Sequence, residues 1–107
     1  MCRFIFGCLL ILGVSASAAQ AQAPDLRVRA LAANCAACHG TEGRATSDSL
    51  LPGLAGMPAV YFSQQMKAFK SGARQGTLMP QLAKGFSDAQ IAALASYFAA
   101  QKKGAAP

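Results

Sequence analysis

The chain has 107 residues, 53% of them hydrophobic and 13% charged, a balance that excludes a disordered tail or a multidomain enzyme and leaves one small packed domain. Ten Lys and Arg against four Asp and Glu give a net charge of +6, yet there is no Trp, a single His and no basic run longer than Lys102-Lys103. Nucleic-acid binding is set aside on that ground.

Arg3, the apolar stretch Phe4 to Val14 and the small, polar stretch Ser15 to Ala23 have the layout of a secretory signal peptide. Ala19-Gln20-Ala21 and Ala21-Gln22-Ala23 both fit the small-x-small cleavage pattern; cutting after Ala21 avoids Pro24 beside the scissile bond, and cutting after Ala23 is the alternative. Residues 1–21 are therefore expected to be removed, leaving a domain of residues 22–107 and a periplasmic product. The apolar stretch is shorter than the roughly 20 residues a spanning helix requires, and no later segment offers one, so no membrane span is expected in the mature chain. Nine basic and four acidic residues remain after processing, a net charge of +5, and Cys35 and Cys38 are the cysteines left. That excludes a disulfide framework, and a domain of this size without one draws stability from a metal or cofactor.

Leu26, Ala30, Ala33 and Ala37 recur at helical spacing after Asp25, which can cap the start, so a first helix is predicted from Pro24 onward. Gly40 to Met57 is punctuated by Gly and Pro and reads as a loop with one short helical turn at most, in need of an internal anchor. A second helix is predicted from Pro58, at its first position, to Gly72. Gly72 to Phe86 reads as a second irregular loop, carrying Met79. Ser87-Asp88-Ala89-Gln90 then opens a third helix as a capping box, with an apolar stripe of Ile91, Leu94, Ala95 and Phe98 and an end near Gly104. No segment alternates as a strand does, so the fold class is all-α.

At the end of the first helix stands Cys35-Ala36-Ala37-Cys38-His39, the attachment signature of a c-type haem. Two cysteines three apart on one helical turn project to the same side, where each thiol can add across a porphyrin vinyl group, and the next residue delivers an imidazole to the iron. A dithiol redox motif needs a βαβ context that is missing here, and a structural zinc site needs four ligands where Cys35, Cys38 and His39 supply three. With no second histidine, thioether sulfur is the candidate sixth ligand: Met57, Met66 or Met79. Met66 reads as core filler on a helix. Met79, in the irregular loop 40 residues beyond His39, is favoured over Met57.

These residues resemble the small class I bacterial cytochromes c over Leu26 to Gln101. The resemblance rests on Cys35 to Gly40, on Pro52-Gly53-Leu54-Ala55-Gly56, and on Met79 with Ser87-Asp88. Tyr61 to Gly72 and Lys84 to Gln90 are similar, more narrowly, to the cytochrome subunit of flavocytochrome c sulfide dehydrogenase. The resemblance implies three main helices around one covalently attached haem c, thioethers at Cys35 and Cys38, His39 as proximal ligand and Met79 as distal ligand. It also implies a Pro52 carbonyl that accepts the His39 ring N–H and fixes the ring; otherwise Pro52 is an ordinary turn proline. With no second histidine and no paired carboxylates for acid-base work, the chain is not expected to be catalytic on its own; the resemblance implies as partner the FAD-bearing flavoprotein subunit of a sulfide dehydrogenase, or another redox protein with an acidic docking surface. A free diffusible monohaem carrier between respiratory or photosynthetic complexes is the alternative.

Two further sets of residues carry expectations. Leu54, Tyr61, Phe62, Phe69, Leu82, Ile91, Leu94 and Phe98 are candidates to keep water from the ring. Arg44, Lys67, Lys70, Arg74 and Lys84 flank the two loops, where they either steer an acidic partner or form a solvated face. Lys102 and Lys103 are read as ending the last helix, where they favour its dipole.

Overall fold

The computed structural model describes residues 25–104. The expected signal segment, residues 1–21, lies outside the described residues. Four α-helices and one 3-10 turn follow one another, with no strand among the described residues: α1 (Leu26–His39), the turn Thr41–Gly43, α2 (Ala59–Ser71), α3 (Met79–Lys84) and α4 (Asp88–Ala100). The fold is all-α.

Helix α1 starts where Asp25 accepts the Arg27 backbone N–H at 3.0 Å, which satisfies one of the free donors of the first turn. It runs through Cys35 and Cys38 to His39, so the whole motif is helical. Helix α2 begins one residue later than expected: Pro58 is its extended cap (φ −55°, ψ 129°), and the Pro58 carbonyl accepts from Phe62 N at 3.0 Å. It stops at Gly72, in the left-handed region at φ 82°. Helix α4 has the capping box read from the sequence: Ser87 Oγ accepts from Gln90 N at 3.1 Å, and Gln90 Oε1 accepts from Ser87 N at 2.8 Å.

Two expectations are corrected. The stretch Gly72 to Phe86 is not wholly irregular: Met79–Lys84 forms α3, with Pro80 in its first turn and Ala83 fully buried. The third predicted helix ends at Ala100 rather than near Gly104, because Gln101 is extended (ψ 137°) and its side chain turns back to the Tyr97 carbonyl at 2.9 Å. Lys102 and Lys103 therefore lie past the helix. The Lys102 carbonyl accepts from Arg44 Nε at 2.9 Å, and the Lys103 stem lies against Gly56.

The core is built on α4. Ile91, Leu94 and Phe98 are its largest fully buried side chains, joined by Phe62 and Met66 from α2, Ala32 from α1, Leu54 and Ala83. Phe98 meets the Phe62 ring at 5.5 Å and the Tyr97 ring edge-on at 5.2 Å, separations at which aromatic pairs attract beyond their buried area. Helix α4 packs against both α1 and α2, and α3 rests on α2. The loop after α1 is anchored as its length requires: Gly43 O accepts from Leu54 N (2.8 Å) and Ala55 N (3.0 Å), and Phe98 O from Gly56 N (2.8 Å). Gly43 has φ 76°, and a Cβ there would lie 2.8 Å from Leu54 Cβ and 2.9 Å from Phe98 Cδ1. Glycine is needed for both reasons.

Candidate haem-binding site

Because α1 and α2 each pack on α4, they form two walls with a cavity of about 320 Å³ between them. Helix α1 contributes Asn34, Cys35, Cys38 and His39; the anchored loop contributes Leu51, Pro52, Leu54 and Met57. Facing them are Tyr61, Phe62, Gln65, Met66 and Phe69 from α2, with Arg74, Met79, Leu82 and Phe86 beyond it. All five sequence-derived site residues, Cys35, Cys38, His39, Pro52 and Met79, meet at this one cavity.

The imidazole of His39 is oriented from below. Its Nδ1 lies 2.7 Å from the Pro52 carbonyl oxygen. A carbonyl can only accept, so Nδ1 donates and Nε2 is the ring nitrogen left for another partner. Cys38 is exposed and Cys35 half-buried, both as free thiols. Burial pushes the Cys35 thiol above its ordinary range, and the neighbouring Cys38 pushes it the same way. That disfavours a thiolate, the species that a redox dithiol or a zinc site would need. No cluster of three or more His, Cys, Asp or Glu suited to a metal ion occurs among the described residues.

All three candidate methionines reach the cavity wall. Met66 is also core, as expected, with 6% of its surface exposed. Met57 and Met79 are both half-buried, and Met79 is the first residue of α3. Of the eight residues expected to shield a ring, Leu54, Tyr61, Phe62, Phe69 and Leu82 line the cavity; Ile91, Leu94 and Phe98 do not, and serve the core behind it. Of the five flanking cations only Arg74 lines the cavity. Arg44 is occupied by Glu42 and the Lys102 carbonyl, and Lys70 Nζ donates to Phe86 O (2.8 Å) and Asp88 Oδ1 (3.1 Å). Gln65 was not foreseen as a lining residue. The signal was present, since Tyr61, Gln65 and Phe69 recur every four residues on one face of α2.

A sequence model of the cytochrome c family matches residues 26–102. The chain belongs to the cytochrome c family. It is 41% identical over 76 residues to a thiosulfate dehydrogenase electron acceptor of Thiomonas intermedia (71% of this chain, 35% of that protein). It is 39% identical over 71 residues to cytochrome c-554(548) of Halomonas halodenitrificans (64% of this chain, 84% of that protein). To the cytochrome subunit of sulfide dehydrogenase of Chlorobaculum tepidum it is 35% identical over 86 residues (80% and 76%). The chain thus spans about a third of the first of these relatives and most of the other two.

The cytochrome c family carries covalent haem c on a pair of cysteines, here Cys35 and Cys38. The residues fit that group. Two thiols on one helical turn face a cavity of ligand size whose walls are mainly aliphatic, aromatic and thioether side chains. A histidine whose Nδ1 is engaged by the Pro52 carbonyl stands directly after them.

Proposed function

We propose that this cytochrome is an exported single-electron carrier. In this reading His39 and Met79 would hold the haem iron, and the partner is the flavoprotein subunit of a sulfide-oxidising dehydrogenase. The observation that carries the ligand assignment is the 2.7 Å bond from His39 Nδ1 to the Pro52 carbonyl. It fixes the tautomer and azimuth of the ring, as an outer partner of a metal-bound histidine does. Met79 is favoured over Met57 as the second ligand because it enters from the facing wall, on the element after α2, whereas Met57 belongs to the loop that also carries Pro52. When bound, haem c supplies one-electron exchange between ferrous and ferric iron, with a neutral thioether favouring the ferrous form. The chain's own contribution is to hold the ring nitrogen and exclude water with Leu54, Phe62 and Phe69. Sulfide oxidation is assigned to the partner in this reading, since the similar Chlorobaculum tepidum protein is named as a cytochrome subunit of the dehydrogenase.

The partner is argued from two relatives whose names specify donors, a thiosulfate dehydrogenase electron acceptor and a cytochrome subunit of sulfide dehydrogenase. Both names concern inorganic sulfur oxidation. Export fits the expected leader of residues 1–21, and no helix among the described residues is long and apolar enough to cross a membrane. A free carrier is the second reading, favoured by the 84% coverage of cytochrome c-554(548). Purification from the periplasm of the native host separates them: co-elution with an FAD-containing polypeptide in constant ratio supports the complex, and a lone monohaem chain supports the carrier. For the ligands, the ferric protein should show a sulfur-to-iron charge-transfer band that Met79→Leu abolishes and Met57→Leu leaves. A band that survives M79L overturns the Met79 assignment.

A further inference from the structure

Among the described residues, Glu42 is the one other than glycine with a left-handed backbone, at φ 53°. That conformation is strained for a residue with a side chain and persists where the surroundings impose it. Here it delivers a partner. The Glu42 carboxylate accepts from Nη1 of Arg44 across the turn Thr41–Gly43. Nε of the same guanidinium donates to the Lys102 carbonyl at 2.9 Å, 58 residues further on. Arg44 thus ties the turn that follows His39 to the segment that follows α4. Neither side chain of the pair is more than 38% exposed, so the pair is partly shielded from solvent and salt.

The tied turn is also the floor on which Pro52 rests. Gly53, next to Pro52, packs so closely on it that a Cβ there would lie 3.3 Å from Gly43 O and 3.7 Å from Ala45 N. Gly40, next to His39, meets it as closely: a Cβ there would lie 2.2 Å from Arg44 O. Both partners of the 2.7 Å bond between His39 and Pro52 are therefore one residue away from backbone packed on Arg44 or its neighbours. The bond from Gly56 N to Phe98 O and the Lys103 stem over Gly56 close the same loop against the end of α4. We propose that Arg44, with Glu42 and the Lys102 carbonyl, is a positioning residue for the His39 imidazole, acting through the Pro52 carbonyl. The proposal rests on the reading of His39 as a haem ligand. A ring whose Nδ1–H is held by a fixed acceptor is a stronger and better oriented base at Nε2, so the stiffness of this clasp reaches the ring although Arg44 does not line the cavity.

The test is hydrogen–deuterium exchange, followed by NMR in the haem-loaded ferrous protein, for the parent, Arg44→Gln, Arg44→Lys and Glu42→Asn. Asparagine tolerates the left-handed region, so E42N removes the carboxylate and keeps the turn. R44Q is expected to speed exchange of the His39 Nδ1 proton and of the Leu54 and Ala55 amides by about threefold to tenfold, the range that one or two partly exposed polar contacts support. The Leu94 and Phe98 amides of α4 should keep the parent rate. E42N, which leaves the bond to Lys102, should accelerate the same protons by less, and R44K, which keeps the charge without the planar fork of donors, should fall between R44Q and the parent. A clasp with a structural role alone would speed the α4 amides as much as the loop protons. That result, or unmoved Nδ1 exchange in R44Q, overturns the proposal; where R44Q is not recovered with haem, the same readings in E42N do so. The ligand reading is checked on the same samples, because the porphyrin ring current carries the C–H resonances of an axial imidazole far upfield. Their absence from the parent defeats His39 as a ligand, and the Nδ1, Leu54 and Ala55 protons still report whether Arg44 holds the ring against Pro52.

Discussion

Lys70 and Asp88 show how a single side chain joins distant parts of this small chain. Lys70 Nζ, at the end of α2, donates to the Phe86 carbonyl and to Asp88 Oδ1 at the start of α4. The hydrogen bond from Lys70, and then its charge, hold the Asp88 carboxyl below its ordinary value of 3.8. A carboxyl with a depressed native value contributes stability that is complete above the unfolded value and is lost as pH falls through the native one. Asp88→Asn should therefore lower the denaturant midpoint at neutral pH and leave it unchanged in acid below the native value, where both proteins have lost the interaction. Equal deficits at both pH values would show that Asp88 acts through its place in the first turn of α4 and not through Lys70. At this scale the sequence was informative about chemistry and poor about pairing. Cys35, Cys38 and His39 are legible because their spacing is local. Arg74 looked like one of five surface cations, because the Phe69 ring beneath it lies a helical turn away and its amide partner, Gln65, nine residues away.

The elements were legible where local signals suffice. The capping box at Ser87 and the glycine stop at Gly72 place the start of α4 and the end of α2. Helix α3 was not legible. Six residues between Gly76 and Gly85 are too few for helix propensity to stand alone, and what holds them is the burial of Ala83 against α2. The end of α4 was misread for a related reason: nothing in Gln101-Lys102-Lys103 opposes a helix, and the stop comes from Arg44 and Gly56, which hold the following residues. Two glycines test how far such positions depend on space as well as backbone conformation. Both are left-handed, but a Cβ at Gly72 meets nothing within 4 Å, whereas one at Gly43 collides with Leu54, Ala55 and Phe98. Gly72→Ala should cost about 1 kcal/mol, the left-handed penalty alone. Gly43→Ala should cost on the order of 3 kcal/mol once overpacking is added. Denaturant unfolding of the haem-loaded proteins measures both, and equal losses would mean that the loop at Gly43 yields.

Across the whole molecule, the cavity separates walls that α4 alone unites from behind. The fully buried large side chains are Phe98, Ile91 and Leu94, all from α4, while Tyr61, Phe62 and Phe69 turn faces toward the cavity. A domain this small buries too little surface to hold such walls apart without a filled interior. The chain with Cys35→Ala and Cys38→Ala should therefore lose most of its helical circular dichroism at room temperature. Retention of the full signal would show that α1, α2 and α4 stand without the prosthetic group. The all-α class and the cofactor were legible at this scale, because a signature motif and helical periodicities carry them. The division of apolar residues between cavity and core was not, because a helical stripe looks the same whether it faces a ligand or a neighbouring helix.

The bridge from Lys70 to Phe86 and Asp88 also fixes the two ends of the intervening stretch independently of what lies between them. Its two ends are stapled beside each other on the scaffold of α2 and α4, and doubling the length of a flexible connection adds only about 0.6 kcal/mol of closure entropy. The exposed residues Gln75 to Leu78 can therefore be lengthened at small cost while Met79 and the fully buried Ala83 keep their places.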